Sequence, residues 1–286
     1  MRGRVALWLP AVLLALIMPA TLGAQEEVGS TYTLKAMEDF NGTLRSMWMD
    51  LRAEQIEVLT TKRGRASVRI HRQPFRWVTN DERRQTRGGL TYLVDLGDIP
   101  SHLNLPAEEA EAAIDRAVQT WGAQSCIRKL SLEKRPDQGG DPDLFDAASG
   151  YGEPGGFGAA DVVVAGWLPA GFFNSVVPSG GETVVALSVT FIFVGPDGEP
   201  TDVDKNGYLD TAVSEIYFND AFRWTTDPAI QEGLDVESVA LHEFGHSLGL
   251  GHINCSGTAM SSVYTGRTEL TPQDHAALCG LWARWH

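Results

Sequence analysis

His242, Glu243, His246, Gly249 and His252 stand within one eleven-residue stretch, HEFGHSLGLGH. Residues four apart on a helix share a face, so His242 and His246 can offer two ring nitrogens to one cation. Glu243 then points beside that pair, close enough to take a proton without occupying a ligand position. Gly249 permits a left-handed turn where the helix ends, and His252 beyond it can fold back as a third ligand. Three imidazoles with a fourth position open are the chemistry of a hydrolytic zinc site. A bare H-E-x-x-H arises by chance in many sequences. With the glycine and the third histidine added, an ordinary histidine-rich helix must explain three coincidences at once.

A second group of oxygen-bearing side chains lies in TDVDKNGYLD. Asp202, Asp204, Asn206 and Asp210 fall at positions 1, 3, 5 and 9 of a calcium loop, with Gly207 at the sharp turn. Val213 stands where such a loop closes on a glutamate. The letters thus predict a structural calcium ion in an incomplete loop, against the plainer reading of a solvated acidic hairpin. Asp137, Asp141 and Asp143 are a weaker version of the same idea and are read first as a polar loop, and His71, His102, His275 and His286 lack metal spacing.

These groups need a scaffold. LTYLVDL from Leu90 predicts a strand, and PAEEAEAAIDRAVQTWG a helix with acid in its first turn and Gly122 past its end. CIRKLSLEK, ADVVVAGWL, VVALSVTFIFV and EIYFND predict four more strands. DVESVALHEFGHSLGL is the helix that carries the histidines, and PQDHAALCGLWARW a closing helix. That order implies a mixed, twisted five-stranded sheet packed with three main helices, in the α/β (α+β) class. Trp121, Trp167 and Trp224 are expected in its core.

The chain ahead of Leu90 differs in character. Arg2 and Arg4, an apolar run from Val5 to Met18 and then Leu22-Gly23-Ala24 follow the order of a secretory signal peptide. The run is shorter than the ~20 apolar residues a bilayer span needs, so stable membrane insertion is not expected. Met37, Phe40, Leu44, Met47 and Leu51 have helical spacing, predicting one or two amphipathic helices over Leu34 to Leu59 with a break near Asn41-Gly42. A short alternating stretch follows at Ala66 to Ile70. Residues 1–90 hold 14 Lys+Arg against 9 Asp+Glu, whereas residues 91–286 hold 9 against 28. The acidic body argues against a nucleic-acid partner. The division predicted is a signal peptide at 1–24, an extension or pro-segment at 25–89, and a zinc-site domain at 90–286. A pro-segment would lie over the cleft and be cut near Arg83 to Arg87. Cys126, Cys255 and Cys279 cannot all pair with one another. Export favours a disulfide, and Cys255 with Cys279 is the preferred pair, tying the last helix to the loop under the site. Cys126 is then a buried thiol; the other pairings stay open.

The motif from His242 to His252 resembles that of the metzincin metallopeptidases. GTAMSSVYTG resembles their methionine turn, with Met260 eight residues after His252. LTPQDHAALCGLW is similar to the closing helix of the matrixin branch, and Tyr264 matches the tyrosine that matrixins place in the wall of the S1' pocket. Ser262 stands where astacins and serralysins carry a zinc-binding tyrosine and where matrixins commonly have proline. The resemblance is sharp over Val236 to Trp282 and looser over Leu90 to Asp235. It implies a zincin-like fold, one catalytic zinc on His242, His246 and His252, and Glu243 as base. It also implies that Met260 forms a floor beneath the histidines and that a protein or peptide substrate pairs with an exposed sheet edge, placed at Ala186 to Val194. Matrixin pro-segments cap zinc with a cysteine, but the first cysteine here is Cys126, so latency needs another device.

The reading is a monomeric zinc endopeptidase, secreted or periplasmic. Its rivals are a secreted zinc-containing binding module without hydrolytic activity and a zinc hydrolase acting on a non-peptide substrate.

Overall fold

The computed structural model of the chain describes residues 21–47, 49–61, 67–70, 74–84, 88–97, 99–152, 158–227, 229–230 and 232–282. The expected leader lies outside them up to residue 20, and so do His71 and His286.

A first helix, α1 (Thr21–Ser46), lays Met37, Phe40 and Leu44 onto the sheet at helical spacing. It does not break at Asn41-Gly42 as predicted. The Asn41 side chain instead donates to the Ala53 carbonyl at 3.0 Å and accepts the Ala53 N–H at 2.8 Å, pinning the helix to the next strand. That strand is a further correction: Leu51 to Leu59 is extended, as β1 (Leu51–Thr60), not helical. Cross-strand pairing has overridden the helical spacing of its apolar residues.

β2 (Ser67–Arg69), β3 (Phe75–Arg76) and β4 (Gly89–Val94) follow, then α2 (Ala107–Gly122) and β5 (Ser131–Lys134). Of the strand predicted from Cys126, only the second half forms. After α3 (Phe145–Ser149) come β6 (Val162–Leu168), α4 (Ala170–Val176), α5 (Gly180–Thr183), β7 (Val184–Phe193) and β8 (Leu209–Asn219). A small parallel pair, β9 (Trp224–Thr225) with β10 (Leu234–Asp235), leads into α6 (Val236–Ser247), and α7 (Pro272–Trp282) closes the described chain.

The sheet runs β2-β1-β7-β8-β6-β4-β5, with β3 added beside β8. Within it β8, β6, β4 and β5 run parallel to one another, and β7 is antiparallel to both β8 and β1. The five strands expected after Leu90 are present, but three more from the preceding segment make it eight-stranded. The edge expected at Ala186 to Val194 is therefore not exposed, because β1 pairs along it from Leu51↔Phe193 to Thr60↔Val184.

Two cores flank the sheet. One holds α2, α6, Trp121, Trp167 and Trp224; the other holds α1, α3 and α4 with Phe145, Phe172 and Tyr217. In α2 the residues Ala110, Ala113, Ile114, Ala117, Val118 and Trp121 form one buried stripe, and the Trp121 indole donates to the Leu241 carbonyl at 2.8 Å. That bond fixes the depth at which α6 sits. No described helix is long and apolar enough to cross a membrane.

Candidate metal centre

Asp235 starts α6: its carboxylate accepts the Ser238 N–H at 2.8 Å, satisfying one of the free donors of the first turn. His242 and His246 follow one turn apart, with ring centroids 4.7 Å apart. Each Nδ1 faces a carbonyl, Ala259 for His242 and Leu250 for His246, both at 2.7 Å. A carbonyl only accepts, so each Nδ1 carries the proton and each Nε2 is left with a lone pair. Those two Nε2 atoms face each other at 3.0 Å.

The helix stops where the glycine allows it. Gly249 adopts φ +90°; its N–H returns to His246 and the Leu250 N–H to Gly245, at 2.8 and 3.0 Å. The turn brings the His252 ring to 4.8 Å from that of His246 and 5.3 Å from that of His242. His252 Nε2 is buried and has no hydrogen-bond partner among the described residues. Burial pushes His242 down to about 3, with His252 adding to the fall, and His252 down to about 4. Burial likewise holds His246 well below the ordinary histidine range. Three neutral imidazoles with converging nitrogens, two of them oriented by carbonyls behind, are a donor set that fits zinc.

Glu243 is fully buried, and burial raises its carboxyl well above the usual range, with the Glu57 carboxylate adding to the rise. Neither carboxylate oxygen has a hydrogen-bond partner among the described residues. Met260 lies under the helix, wholly buried. A Cβ on Gly245 would overlap the Met260 sulfur and crowd Trp121, so this turn of helix needs glycine. Asp274 holds the Met260 segment in place, accepting the N–H groups of Ala259, Met260 and Thr271 at 3.0, 3.1 and 2.8 Å.

Tyr264 joins the helix start to the covering strand. Its hydroxyl accepts the Asp235 N–H at 2.9 Å, and its own N–H donates to the Thr60 carbonyl at 2.9 Å. A hollow of about 470 Å³ opens beside it, lined by Ile253, Ser262, Val263 and Tyr264 among others.

Asp202, Asp204 and Asp210 converge as their spacing predicted. Asp202 and Asp204 accept the Asn206 N–H, and Asp202 also the Gly207 N–H. Asp210, however, is buried against the Arg83 guanidinium at 2.8 Å and the Thr201 hydroxyl at 2.6 Å. A cation in this loop would compete with an arginine already there.

The cysteine pairing differs from the expected one. Cys126 bonds Cys279, with Cα atoms 5.4 Å apart, and Cys255 is free and exposed. The short turn at Ser125–Ile127 packs against α7 and carries Cys126 to it, whereas Cys255 lies in a surface loop. Cys126 is thus not a buried thiol.

Two groups of residues escaped the sequence reading. Glu57, on β1, lies opposite Ser188 and reaches His252 Nδ1 at 3.3 Å. The alternation of Ile56, Val58 and Thr60 was the available signal for a strand there. On the other face, Asp143, Asp146 and Glu215 are buried around Tyr217; Asp143 was expected in a polar loop and Glu215 on a strand, and their letters carry no signal of a shared buried cluster.

Residues 197–283 match the matrixin family model. The chain carries a matrixin-like domain. It is 35% identical over 99 residues to human (Homo sapiens) matrix metalloproteinase-17, covering 33% of this chain and 16% of that protein. To human matrix metalloproteinase-25 it is 26% identical over 172 residues, covering 58% and 23%. To mouse (Mus musculus) stromelysin-3 it is 36% identical over 72 residues, covering 24% and 14%. The chain thus spans under a quarter of these relatives' own lengths. The matrixin match takes in β8, α6, the Met260 segment and α7, the elements that build the histidine cluster. β1, β2 and β3 precede it.

Proposed function

We propose that the chain is a secreted, zinc-dependent endopeptidase acting on protein or peptide substrates. The observation that carries this is the convergence of the His242, His246 and His252 ring nitrogens beside the Glu243 carboxylate, within the matrixin-like match. The three histidines would hold one zinc, which would supply Lewis acidity to the scissile carbonyl and the attacking water. Glu243 takes the proton from that water and returns it to the leaving amine. Its burial raises its proton affinity in the direction a general base needs. Met260, held by Asp274, keeps the floor under the histidines, and Tyr264 walls the pocket for the residue after the scissile bond. The Asp202, Asp204 and Asn206 loop is given a weak calcium site, weak because Arg83 already neutralises Asp210.

The test is metal content and peptide hydrolysis of the wild type beside Glu243→Ala. About one zinc in each, with hydrolysis reduced on the order of 10²–10⁴-fold in the variant, is expected from the loss of a general base. Equal hydrolysis by both would remove Glu243 from the mechanism. Zinc without hydrolysis under any condition would make the chain a binding module.

A further inference from the structure

We propose that Asp95, Asp141 and Asp143 hold a calcium ion that fastens the long loop between β5 and β6 to the sheet. All three lie outside the matched residues 197–283, and the site stands whether or not the histidine cluster cleaves peptides.

Each of the three carboxylates has an oxygen within 4.8 Å of an oxygen from each of the others. Oxygens at that spacing can share one ion at bond lengths of about 2.3–2.6 Å, those of calcium. Asp95 stands just past β4, where its N–H bonds the Val164 carbonyl of β6 at 2.9 Å and its Oδ1 accepts the Gly97 N–H at 2.7 Å. Asp141 and Asp143 come to it from the loop. Their approach is set from β8: Glu215 accepts the Leu144 and Phe145 N–H groups at 2.8 and 3.0 Å, and the Tyr217 hydroxyl lies 2.9 Å from Asp143 Oδ1. Such partners behind a ligand hold it ready for a cation.

A separate observation points to the ion itself. Asp143 is 0% exposed, and its Oδ2 has no hydrogen-bond partner among the described residues; Asp146, equally buried, has an Oδ2 in the same condition. A buried carboxylate oxygen with neither donor nor cation is costly. Elsewhere in the body that cost is met. Arg84 answers Asp161 and Arg83 answers Asp210, at 3.2 and 2.8 Å, while backbone N–H groups answer Asp235 and Asp274. Among the described residues no lysine or arginine pairs with Asp95, Asp143, Asp146 or Glu215.

The donors are oxygens alone, which suits a hard cation. Calcium fits carboxylates presented by a long loop better than magnesium, which demands a small and nearly ideal octahedron. Two hollows of about 480 and 500 Å³ share Asp141 in their walls, giving the ion and its waters a way in. Without the ion, carboxyls buried this close must keep protons, so it is the ion-free form whose stability falls as pH rises. Calcium added to a chain already loaded leaves this site unchanged.

The test uses the full-length chain, as wild type, Asp143→Asn, Asp141→Asn and, for the other acidic loop, Asp202→Asn. Calcium content is measured after dialysis; each protein is then stripped with a strong chelator, titrated with calcium chloride by calorimetry, and melted with and without calcium. Expected is about one retained calcium in the wild type and in Asp202→Asn, with binding weakened about tenfold or more in Asp143→Asn and Asp141→Asn. In chelator Asp143→Asn should melt no lower than the wild type, and in calcium it should melt lower; an aspartate with a merely structural role would lower both. Equal calcium binding by all four proteins, no binding by the wild type at millimolar calcium, loss confined to Asp202→Asn, or magnesium held in preference overturns the proposal. Asp141→Asn, at a half-buried loop position, decides the matter if Asp143→Asn fails to fold.

Discussion

The Trp77 indole donates to the Ser247 carbonyl at 2.8 Å, so a residue from the segment ahead of Leu90 caps the last turn of the helix that carries His242 and His246. Trp77 is 2% exposed and belongs to the same core as Trp121 and Met260. Arg84, also buried, donates to the Gly89 and Val78 carbonyls and to Asp161. The chain around residues 75–84 is part of the body that holds the site. Trp77→Ala is expected to cost about 3–5 kcal/mol, as large aromatic truncations in a packed core do, measured by denaturant unfolding. A cost under 1 kcal/mol would mean that the segment merely lies on the surface.

Asp274 offers a second point of attack. Three backbone N–H groups converge on it around Ala259 and Met260, and the Ala259 carbonyl in turn orients His242. Asp274→Ala should cost about 3 kcal/mol from buried donors left without an acceptor, and should also weaken zinc retention against a chelator. Unchanged metal affinity in a destabilised protein would separate the floor from the ligands.

A pH dependence follows from the carboxyls around Tyr217. Its hydroxyl faces Glu215 at 2.8 Å and Asp143 at 2.9 Å, and one hydroxyl proton cannot serve both. Burial pushes Glu215 up to about 8, with Tyr217 and the Phe145 and Leu144 N–H groups opposing the rise, and pushes Asp143 up to about 12. The folded chain therefore keeps protons that the unfolded chain releases. The stability contributed is complete below the ordinary carboxylate range and is lost as pH rises, through about 8 for Glu215 and on toward about 12 for Asp143, at ~1.4 kcal/mol per unit of separation. Unfolding free energy measured in chelator from pH 4 to 8 should fall by a few kcal/mol, and Glu215→Gln should flatten that slope. A slope unchanged in the variant would place the effect elsewhere.

Arg83 and Asp210 test the calcium loop. Arg83→Ala leaves Asp210 buried without its cation and should cost about 3 kcal/mol. Calcium added to the loaded chain should then recover part of the loss in the variant and shift the wild type little. A large further rise in wild-type Tm would show that the arginine does not occupy the cation's place.

The parts of the site within one short stretch were legible in the sequence, because helix periodicity and one glycine determine where His242, Glu243, His246 and His252 go. The five strands after Leu90 were legible for the same local reason. What was not legible depends on contacts distant in sequence. The apolar residues of Leu51 to Leu59 fit a helical spacing, and only the partner β7, more than 120 residues on, selects the extended form. Cys126 and Cys279 are 153 residues apart, and nothing in their spacing distinguishes that pair from the one expected. Asp143 reads as part of a polar loop and Glu215 as one residue of a strand, and only the packing around Tyr217 brings them together with Asp146 and buries all three.

The Cys126–Cys279 bond closes the chain between them into a covalent ring that encloses every histidine of the cluster. A protease nick anywhere between residues 126 and 279 leaves a single molecule under oxidising conditions, and the fragments separate only on reduction. β1 and Glu57 lie outside that ring. A nick between β1 and β4 would leave the strand held by non-covalent contacts alone, free to depart without the domain losing its covalent closure.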